Sequence, residues 1–240
     1  MRLEVGGVSG RFRVGNWREL RMLDAAELGE CTVLKRLIDF LDSGDVFYDV
    51  GASVGVYSIL LAQVVGDQGK VIAFEPEQQS YQHLLENVSL NGLTCVRCIR
   101  KALGAEPGEG NLYLVEGVSI PRLLAPSQSG RPGRVTSEKV EIVMGDRLVA
   151  EEHLPVPRVV KIDVEGYEFA VLQGLRQTLA QPACKLVCCE IHPHFLPAGV
   201  QAETVRELLK SLGFVRIERQ ERELDANYYY FAHKDDAATH

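Results

Sequence analysis

Two glycines and two acidic residues in the first third of the chain have the types and spacing of a nucleoside-binding site. Asp49, Gly51 and Gly55 end the apolar run that begins at Val46. Glu75 follows twenty residues beyond the second glycine, directly after another short apolar run. A carboxylate at this distance can accept hydrogen bonds from both hydroxyls of a ribose, and bonds to a charged acceptor are strong.

The glycine spacing separates two classes of cofactor. Asp-x-Gly-x-x-x-Gly stands where a dinucleotide-binding loop has Gly-x-Gly-x-x-Gly. A pyrophosphate requires several N–H groups at a helix N-terminus, whereas S-adenosylmethionine (SAM) has no phosphate. The spacing therefore favours SAM over NAD. We expect the glycines to let the backbone turn sharply and a ligand lie against it.

On this interpretation Asp49 binds the ammonium group of the methionine portion, and Glu75 binds the ribose. The residues predicted to contact the cofactor are Asp49, Gly51, Ala52, Ser53, Gly55, Glu75, Pro76 and Ala102. The alternative is an ordinary strand-to-helix turn followed by a surface acid.

A second group of ionisable residues follows two later apolar runs. Asp163 and Glu165 come after the first run, and Glu190 and His192 end the second. An acid or an imidazole at a strand end can act as general base for an acceptor hydroxyl, and we predict Asp163, Glu165 and His192 as catalytic residues. Asp163 and Glu190 could instead hold a divalent cation such as magnesium, but two acids do not suffice to predict a metal. His194 is expected to be an exposed loop residue.

Four blocks of the chain together resemble the FkbM family of SAM-dependent methyltransferases. They are the glycine loop 49–55, Phe-Glu-Pro at 74–76, Lys-Ile-Asp-Val-Glu-Gly at 161–166 and Glu-Ile-His at 190–192. The resemblance implies a Rossmann-like class I methyltransferase fold and methyl transfer to oxygen, typically a hydroxyl of a sugar or secondary metabolite. It also implies that Glu30 lies on the cofactor side. Ser53 stands where the family more often has asparagine, and its hydroxyl can still cap the following helix.

Strand-like and helix-like segments alternate five times before a closing pair of strands. Strands are expected at 46–50, 71–74, 95–100, 159–164, 186–191, 214–218 and 228–232, and helices at 24–41, 57–65, 79–90, 166–179 and 202–212. This order predicts an α/β fold with a doubly wound, mostly parallel seven-stranded sheet and one antiparallel strand, preceded by a short N-terminal hairpin and a helix. Ligands of such sheets bind beyond the carboxyl ends of the strands, where the acids of both groups would lie.

We expect a single domain over residues 1–240, with the hairpin and helix in 1–42 and a disordered tail at 234–240. Residues 104–139 are rich in turn formers and poor in apolar periodicity. This segment is expected to be a loop-rich insertion with a short hairpin near 112–115, and it could serve as a substrate lid.

The composition limits the classes of partner that we expect the protein to bind. The 240 residues are 46% hydrophobic and 25% charged, as in ordinary globular proteins, and the net charge of -7 disfavours nucleic-acid binding. No apolar run has the length of a signal peptide core or a membrane-spanning helix. We therefore expect a soluble cytoplasmic protein, without a membrane partner, that acts on a small-molecule or glycan acceptor. The six cysteines are expected to be free thiols, and an exposed aromatic in 228–230 could support a homodimer.

Three functions remain to be distinguished. The first is a SAM-dependent O-methyltransferase. The second is a non-catalytic, regulatory SAM-binding protein, against which the complete set of strand-end acids argues. The third is an NAD-dependent oxidoreductase, which the missing third glycine disfavours.

Overall fold

The structure is a computed structural model that describes residues 1–13, 31–115, 123, 135–222 and 226–235. In chain order its strands are β1 Arg2–Val5, β2 Val8–Arg11, β3 Val46–Val50, β4 Lys70–Phe74, β5 Val96–Ile99, β6 Ala102–Gly104, β7 Gly108–Val115, β8 Val135–Met144, β9 Val159–Ile162, β10 Leu186–Ile191, β11 Arg216–Glu221 and β12 Tyr228–His233. The described helices are α1 Cys31–Phe40, α2 Val56–Val65, α3 Gln78–Leu90, α4 Gly145–Glu151, α5 Glu168–Gly174, α6 Arg176–Ala180 and α7 Ala202–Ser211.

Seven strands form the central sheet in the order β11-β12-β10-β9-β3-β4-β5. All neighbouring pairs from β10 to β5 are parallel, whereas β12 runs antiparallel to both β10 and β11. The predicted sheet, with one antiparallel strand, is therefore confirmed. Strands β9 and β10 are buried along their length because both faces of the sheet are covered, and apart from Lys161 and Glu190 their residues are apolar.

The two faces of the sheet carry separate cores. The first packs the sheet against α1, α2, α3 and the hairpin β1–β2, and the second packs it against α4, α5, α6 and α7. Along β3 the side chains alternate: Phe47 belongs to the first core, and Tyr48 and Val50 belong to the second. Asp49 therefore points to the face that α2 covers. Helix α2 is apolar on nearly all sides because it lies between the sheet and the hairpin.

In the described part of the segment 104–139, the short hairpin that we expected near 112–115 is longer than predicted. Strands β7 and β8 pair antiparallel from Gly108 opposite Ile142 to Val115 opposite Val135, and β8 also pairs with β6. Glycines and exposed charged side chains conceal the strand alternation in the sequence. At Gly110 a Cβ would lie 2.8 Å from the Cδ1 of Ile142, so a larger residue would require that side chain to shift. Residues 116–122 and 124–134 lie outside the described part of the chain.

The helix predicted over 166–179 is divided into α5 and α6. The N-terminus of α6 is capped by Asp146 of α4, whose carboxylate accepts from the N–H groups of Gln177 and Thr178 at 2.7 and 2.8 Å. Helix α4 itself was not predicted from the sequence. These contacts between separate elements decide where α6 begins.

The end of the chain corrects two expectations. Strand β12 lies between β10 and β11, and residues Tyr228–Tyr230 are buried, so the expected exposed aromatic, and with it the reason for a homodimer, was wrong. Lys234, the first residue of the expected disordered tail, donates from Nζ to the carbonyl oxygen of Gln181 at 3.0 Å. Residues 236–240 lie outside the described residues, as do residues 24–30 of the first predicted helix.

Two further expectations concern the state of the cysteines and membrane-spanning helices. All six cysteines are free, and four of them are buried: Cys95, Cys184, Cys188 and Cys189. Within the described ranges no helix combines the length and the apolar character needed to span a membrane.

Candidate active site

A cleft opens at the carboxyl ends of β3, β4 and β9. Its empty volume is about 740 Å³, part of which is open to solvent, and pockets of this size hold small molecules and cofactors. Apolar walls come from Val50, Phe74, Leu103, Leu112, Leu123 and Val164, and charged side chains from Glu75, Lys101, Asp163 and Glu165. The cleft thus combines an apolar body with a few polar groups.

The glycine loop forms one wall of this cleft. Gly51 and Gly55 have φ values of 79° and 92°, which only glycine adopts readily. A Cβ on Gly51 would overlap the carbonyl oxygen of Asp163, and one on Gly55 would lie 2.6 Å from the Cδ1 of Leu84. We expected these glycines to admit a ligand. Their conformation and close packing inside the protein already explain them.

The N–H groups of the loop are engaged within the protein. Those of Gly51 and Ala52 both donate to the carbonyl oxygen of Phe74 at 3.0 Å, and that of Gly55 donates to Ala52 at 2.9 Å. The N–H of Ser53 donates to Oε2 of Glu75 at 2.8 Å. A pyrophosphate would need such groups to be free.

Glu75 lies at the end of β4 on the cleft wall. Its Oε1 accepts from the N–H of Glu77 at 2.9 Å, which complements the bond from Ser53 to Oε2. Burial raises the pKa of Glu75 to about 7, and the two backbone N–H bonds oppose that rise. Each carboxylate oxygen has a second lone pair, so Glu75 can still accept two hydroxyl donors. Pro76 and Ala102 line the same cleft.

Asp49 is placed behind the glycine loop and not on the cleft wall. It has no exposed surface, and its Oδ2 accepts from the hydroxyl of Ser58 at 2.6 Å. Burial raises the pKa of Asp49, while the charge of Lys161 and the Ser58 bond oppose this rise. The position suits an indirect role, since the side chain faces α2.

Lys161 connects the two strand ends, although the sequence did not assign it to the site. It lies opposite Asp49 in the register of β3 and β9. Its Nζ donates to the carbonyl oxygen of Gly51 at 3.2 Å and lies 3.6 Å from Asp49 and 3.3 Å from Asp163. A lysine inside an otherwise apolar strand was the signal that could have indicated it.

Asp163 and Glu165 follow β9 and both face the cleft. Glu165 has a φ of 51° and is followed by Gly166 at 97°, so the chain makes a left-handed turn here. A Cβ on Gly166 would overlap the carbonyl group of Phe195. This turn places the carboxylate of Glu165, which is only 4% exposed, beside the strand ends.

His192 lies behind these two acids. Its Nδ1 donates to Oε1 of Glu168 at 2.6 Å, and Nε2 lies 3.3 Å from Glu165 and 3.7 Å from Asp163. Burial lowers the pKa of His192, but the carboxylates of Glu165, Glu168 and Glu190 outweigh it, so the net shift is upward. His192 is not among the residues that line the cleft. The sequence did not indicate the role of Glu168.

Glu190 lies on the far side of His192. Its Oε1 accepts from Arg222 and, at 3.3 Å, from Asn227. Burial opposes ionisation of Glu190, but His192 and Arg222 outweigh it and lower its pKa.

His194 is exposed, as its position in a loop suggested. Glu30 lies outside the described residues.

Sequence comparisons connect the chain with methyltransferases. A family model described as "Methyltransferase FkbM domain" matches residues 49–216, more than half of the chain. Hexuronic acid methyltransferase AglP of Haloferax volcanii is 31% identical over 207 residues, which are 86% of this chain and 78% of that protein. Methyltransferase sdnD of Sordaria araneosa is 25% identical in an alignment of 201 residues that covers 72% of this chain and 75% of that protein.

Solved structures share the fold. Methyltransferase FkbM from Methylobacillus flagellatus superposes with a TM-score of 0.51 at 14% identity, covering 91% of this chain and 56% of that chain. An rRNA methylase from Streptococcus thermophilus superposes with a TM-score of 0.52 at 12% identity, covering 85% and 94%. At these identities the likeness concerns the Rossmann-like fold alone.

Proposed function

This chain belongs to the FkbM family of methyltransferases, and from that premise we propose that it methylates a hydroxyl of a sugar or small metabolite with SAM as the methyl donor. One observation carries the proposal. The cleft brings a buried carboxylate suited to a ribose, Glu75, and a pair of carboxylates suited to an acceptor, Asp163 and Glu165, to one space.

The cleft fits SAM better than a dinucleotide. Its largely apolar wall suits an adenine ring, and Glu75 retains lone pairs for the two ribose hydroxyls. The N–H groups of Gly51, Ala52, Ser53 and Gly55 are already engaged, which suits a cofactor without phosphate. Gly51, Ser53, Glu75, Pro76 and Ala102 are the residues that would hold SAM.

The acidic pair would orient the acceptor and take its proton. When bound, SAM would supply a methyl group on a sulfonium for transfer to the acceptor oxygen, with S-adenosylhomocysteine as the leaving group. Alignment of the acceptor oxygen contributes up to roughly 7–11 kcal/mol in ideal cases. The acceptor proton passes to Asp163 or Glu165, and such a base typically adds about 10²–10⁴-fold. His192, which is buried behind them, would support the two acids without contacting the acceptor.

The relative AglP and the three-stranded sheet β6-β8-β7 suggest where to look for the acceptor. AglP acts, by its name, on a hexuronic acid, so a hexuronic acid is the first acceptor to test. We further propose that the chain is one domain and that the segment 104–139 contributes to acceptor choice, because Leu112 and Leu123 contact the cleft. The net charge of -7 supports an acceptor other than nucleic acid.

Calorimetry of the purified protein with SAM tests the cofactor. We expect micromolar binding by wild type, and binding at least about tenfold weaker in Glu75→Ala, which loses a charged hydrogen-bond acceptor worth about 1.5–3 kcal/mol. Glu109→Ala is the matched control, since Glu109 is exposed on β7 and away from the cleft lining. Saturable binding of NAD without binding of SAM would contradict the proposal and indicate an NAD-dependent oxidoreductase.

Transfer of radiolabelled methyl groups to a hexuronic acid glycoside tests the reaction. Asp163→Ala should lose turnover while it retains SAM binding. If wild type binds SAM but labels neither this acceptor nor a metabolite extract, a non-catalytic SAM-binding protein is the better description.

A further inference from the structure

We propose that Asp163, Glu165 and His192 bind a divalent cation, Mg²⁺ or Mn²⁺, at the inner end of the cleft. Each of these residues offers one ligand atom, and the three atoms lie within 4.8 Å of one another. Adjacent ligands of an octahedral ion, at about 2.1 Å from the metal, are about 3.0 Å apart. The separations of 3.3 and 3.7 Å from Nε2 of His192 to the two carboxylates are close to this value.

The imidazole of His192 distinguishes this place from a mere cluster of acids. The side chain is 1% exposed, and Nε2 has no hydrogen-bond partner among the residues that the structure describes. Carboxylate oxygens of Asp163, Glu165 and Glu190 lie 3.3–3.7 Å from Nε2, which is longer than the usual hydrogen bond between charged groups. Leaving a buried nitrogen unbonded is costly, and a cation between Nε2 and the acids would remove that cost.

Glu168 presents Nε2 in the form that a metal requires. Its Oε1 accepts from Nδ1 of His192 at 2.6 Å and from the N–H of Gly166 at 2.8 Å. With the proton held at Nδ1, the lone pair of a neutral ring lies on Nε2. A carboxylate on the other ring nitrogen is the usual support of a metal-binding histidine.

The local charge also favours a dication. Four carboxylates surround the ring, those of Asp163, Glu165, Glu168 and Glu190. Arg222 pairs with Glu190, and Lys161 lies 3.3 Å from Asp163 and is shared with Asp49. A dication bound to a neutral imidazole adds one more positive charge to this buried site than an imidazolium does.

The role of the ion rests on the proposed methyl transfer. Because Asp163 and Glu165 line the cleft, the remaining positions of a six-coordinate ion would face the acceptor. A hydroxyl bound there loses its proton more readily, so that a carboxylate becomes an adequate base. For a hexuronic acid, the ion would also offset repulsion between the acceptor carboxylate and the acidic wall.

Titration of the metal-free, full-length protein with Mn²⁺, followed through the EPR signal of the free ion, tests the site. We expect one Mn²⁺ per chain in wild type. His192→Gln and Asp163→Asn should weaken binding by at least about tenfold, as should Glu168→Gln, which removes the support of the ring. His194→Gln is the matched control and should bind as wild type does, because His194 is exposed on the same loop.

Two results would overturn the inference. One is that wild type does not bind Mn²⁺ at millimolar concentration, as expected if His192 remains an imidazolium among the acids. The other is equal binding by wild type and His192→Gln. Should a variant fail to fold, pulsed EPR of Mn²⁺-bound His194→Gln decides: coupling to an imidazole nitrogen supports the site, and its absence refutes it.

Calorimetry with S-adenosylhomocysteine on the same samples separates this inference from the proposed function. Binding of S-adenosylhomocysteine without Mn²⁺ binding removes the metal and leaves the cofactor proposal intact. Binding of Mn²⁺ without binding of S-adenosylhomocysteine supports the metal site and contradicts the cofactor proposal.

Discussion

Three buried carboxylates near the cleft differ in their tendency to ionise because their partners differ. Burial raises the pKa of Asp49 and of Glu75, and in Glu75 the rise reaches about 7. Glu190 is equally buried, but His192 and the guanidinium of Arg222 lower its pKa. Environment rather than residue type therefore decides which acid is poised near neutrality, and that acid, Glu75, faces the proposed cofactor.

The affinity for S-adenosylhomocysteine should rise with pH until about pH 7 and then level off. Only ionised Glu75 has acceptors for both ribose hydroxyls, and its pKa is raised to about 7. Below that value affinity should fall by up to about tenfold per pH unit. Calorimetry between about pH 5.5 and about pH 8 measures this slope, and Glu75→Gln, which does not titrate, should flatten it. An equal slope in the variant would assign the titration to another group.

Ionisation of Glu75 should raise the affinity for S-adenosylhomocysteine but lower the stability of the folded state. A carboxyl whose pKa is raised on folding stabilises the folded state below its ordinary pKa of 4.5, and this contribution is lost as pH rises through about 7. As pH rises from 4.5 to about 7, the Tm of Glu75→Gln minus that of wild type should therefore increase. A constant difference between the two would count against the raised pKa.

At the scale of elements, the loops that follow β3 and β9 are packed against each other without room for a side chain. The carbonyl oxygen of Asp163 occupies the place where a Cβ of Gly51 would stand. The ammonium of Lys161 adds a hydrogen bond from β9 to the carbonyl oxygen of Gly51. The glycine loop and the acids Asp163 and Glu165 are thus held in one rigid arrangement, which the proposed transfer of a group between two ligands requires.

Gly51→Ala should destabilise the protein far more than Gly199→Ala. Both glycines have positive φ, 79° and 86°, so each substitution costs about 1–2 kcal/mol of backbone strain. A Cβ at 199 has nothing within 4 Å, whereas a Cβ at 51 overlaps Asp163 and adds about 1–3 kcal/mol of overpacking. Urea denaturation measures both. Equal losses would show that the two loops are not closely packed.

At the scale of the whole molecule, the sheet order brings distant parts of the chain to one edge. Strands β3, β4 and β9 are neighbours in the sheet, so Glu75 and Asp163 face one cleft although they are far apart in sequence. The chain as a whole carries 33 acidic and 26 basic residues. This excess of acids opposes the approach of a polyanion to the cleft.

Structured RNA should not bind, although some proteins of this fold methylate RNA. A net charge of -7 leaves little counterion release to drive association. Fluorescence anisotropy with a labelled RNA hairpin at physiological salt should show no saturable change. Binding that weakens linearly with the logarithm of salt concentration would contradict this expectation and reopen the choice of acceptor.

Local patterns in the sequence were sufficient for the strands of the central sheet and for the position of Glu75. Strands β3, β9 and β10 are mostly apolar runs, because both faces of a parallel sheet are buried, and such runs are visible without any knowledge of contacts. The distance from the glycine loop to Glu75 reflects one helix and one strand. The sheet with its antiparallel β12 followed from the alternation of elements and from the family resemblance.

Only the tertiary structure decided what each side chain faces. Asp49 is hidden because the alternation of β3 turns it toward α2, and Lys161 meets it through the register of β3 and β9. His192 depends on Glu168 and Glu190, and α6 begins where Asp146 caps it. These contacts join residues remote in sequence, and their energies depend on burial and on partners that no local pattern contains. The sequence by itself determined the sheet and the residues at its edge, and packing determined which of them face the cleft.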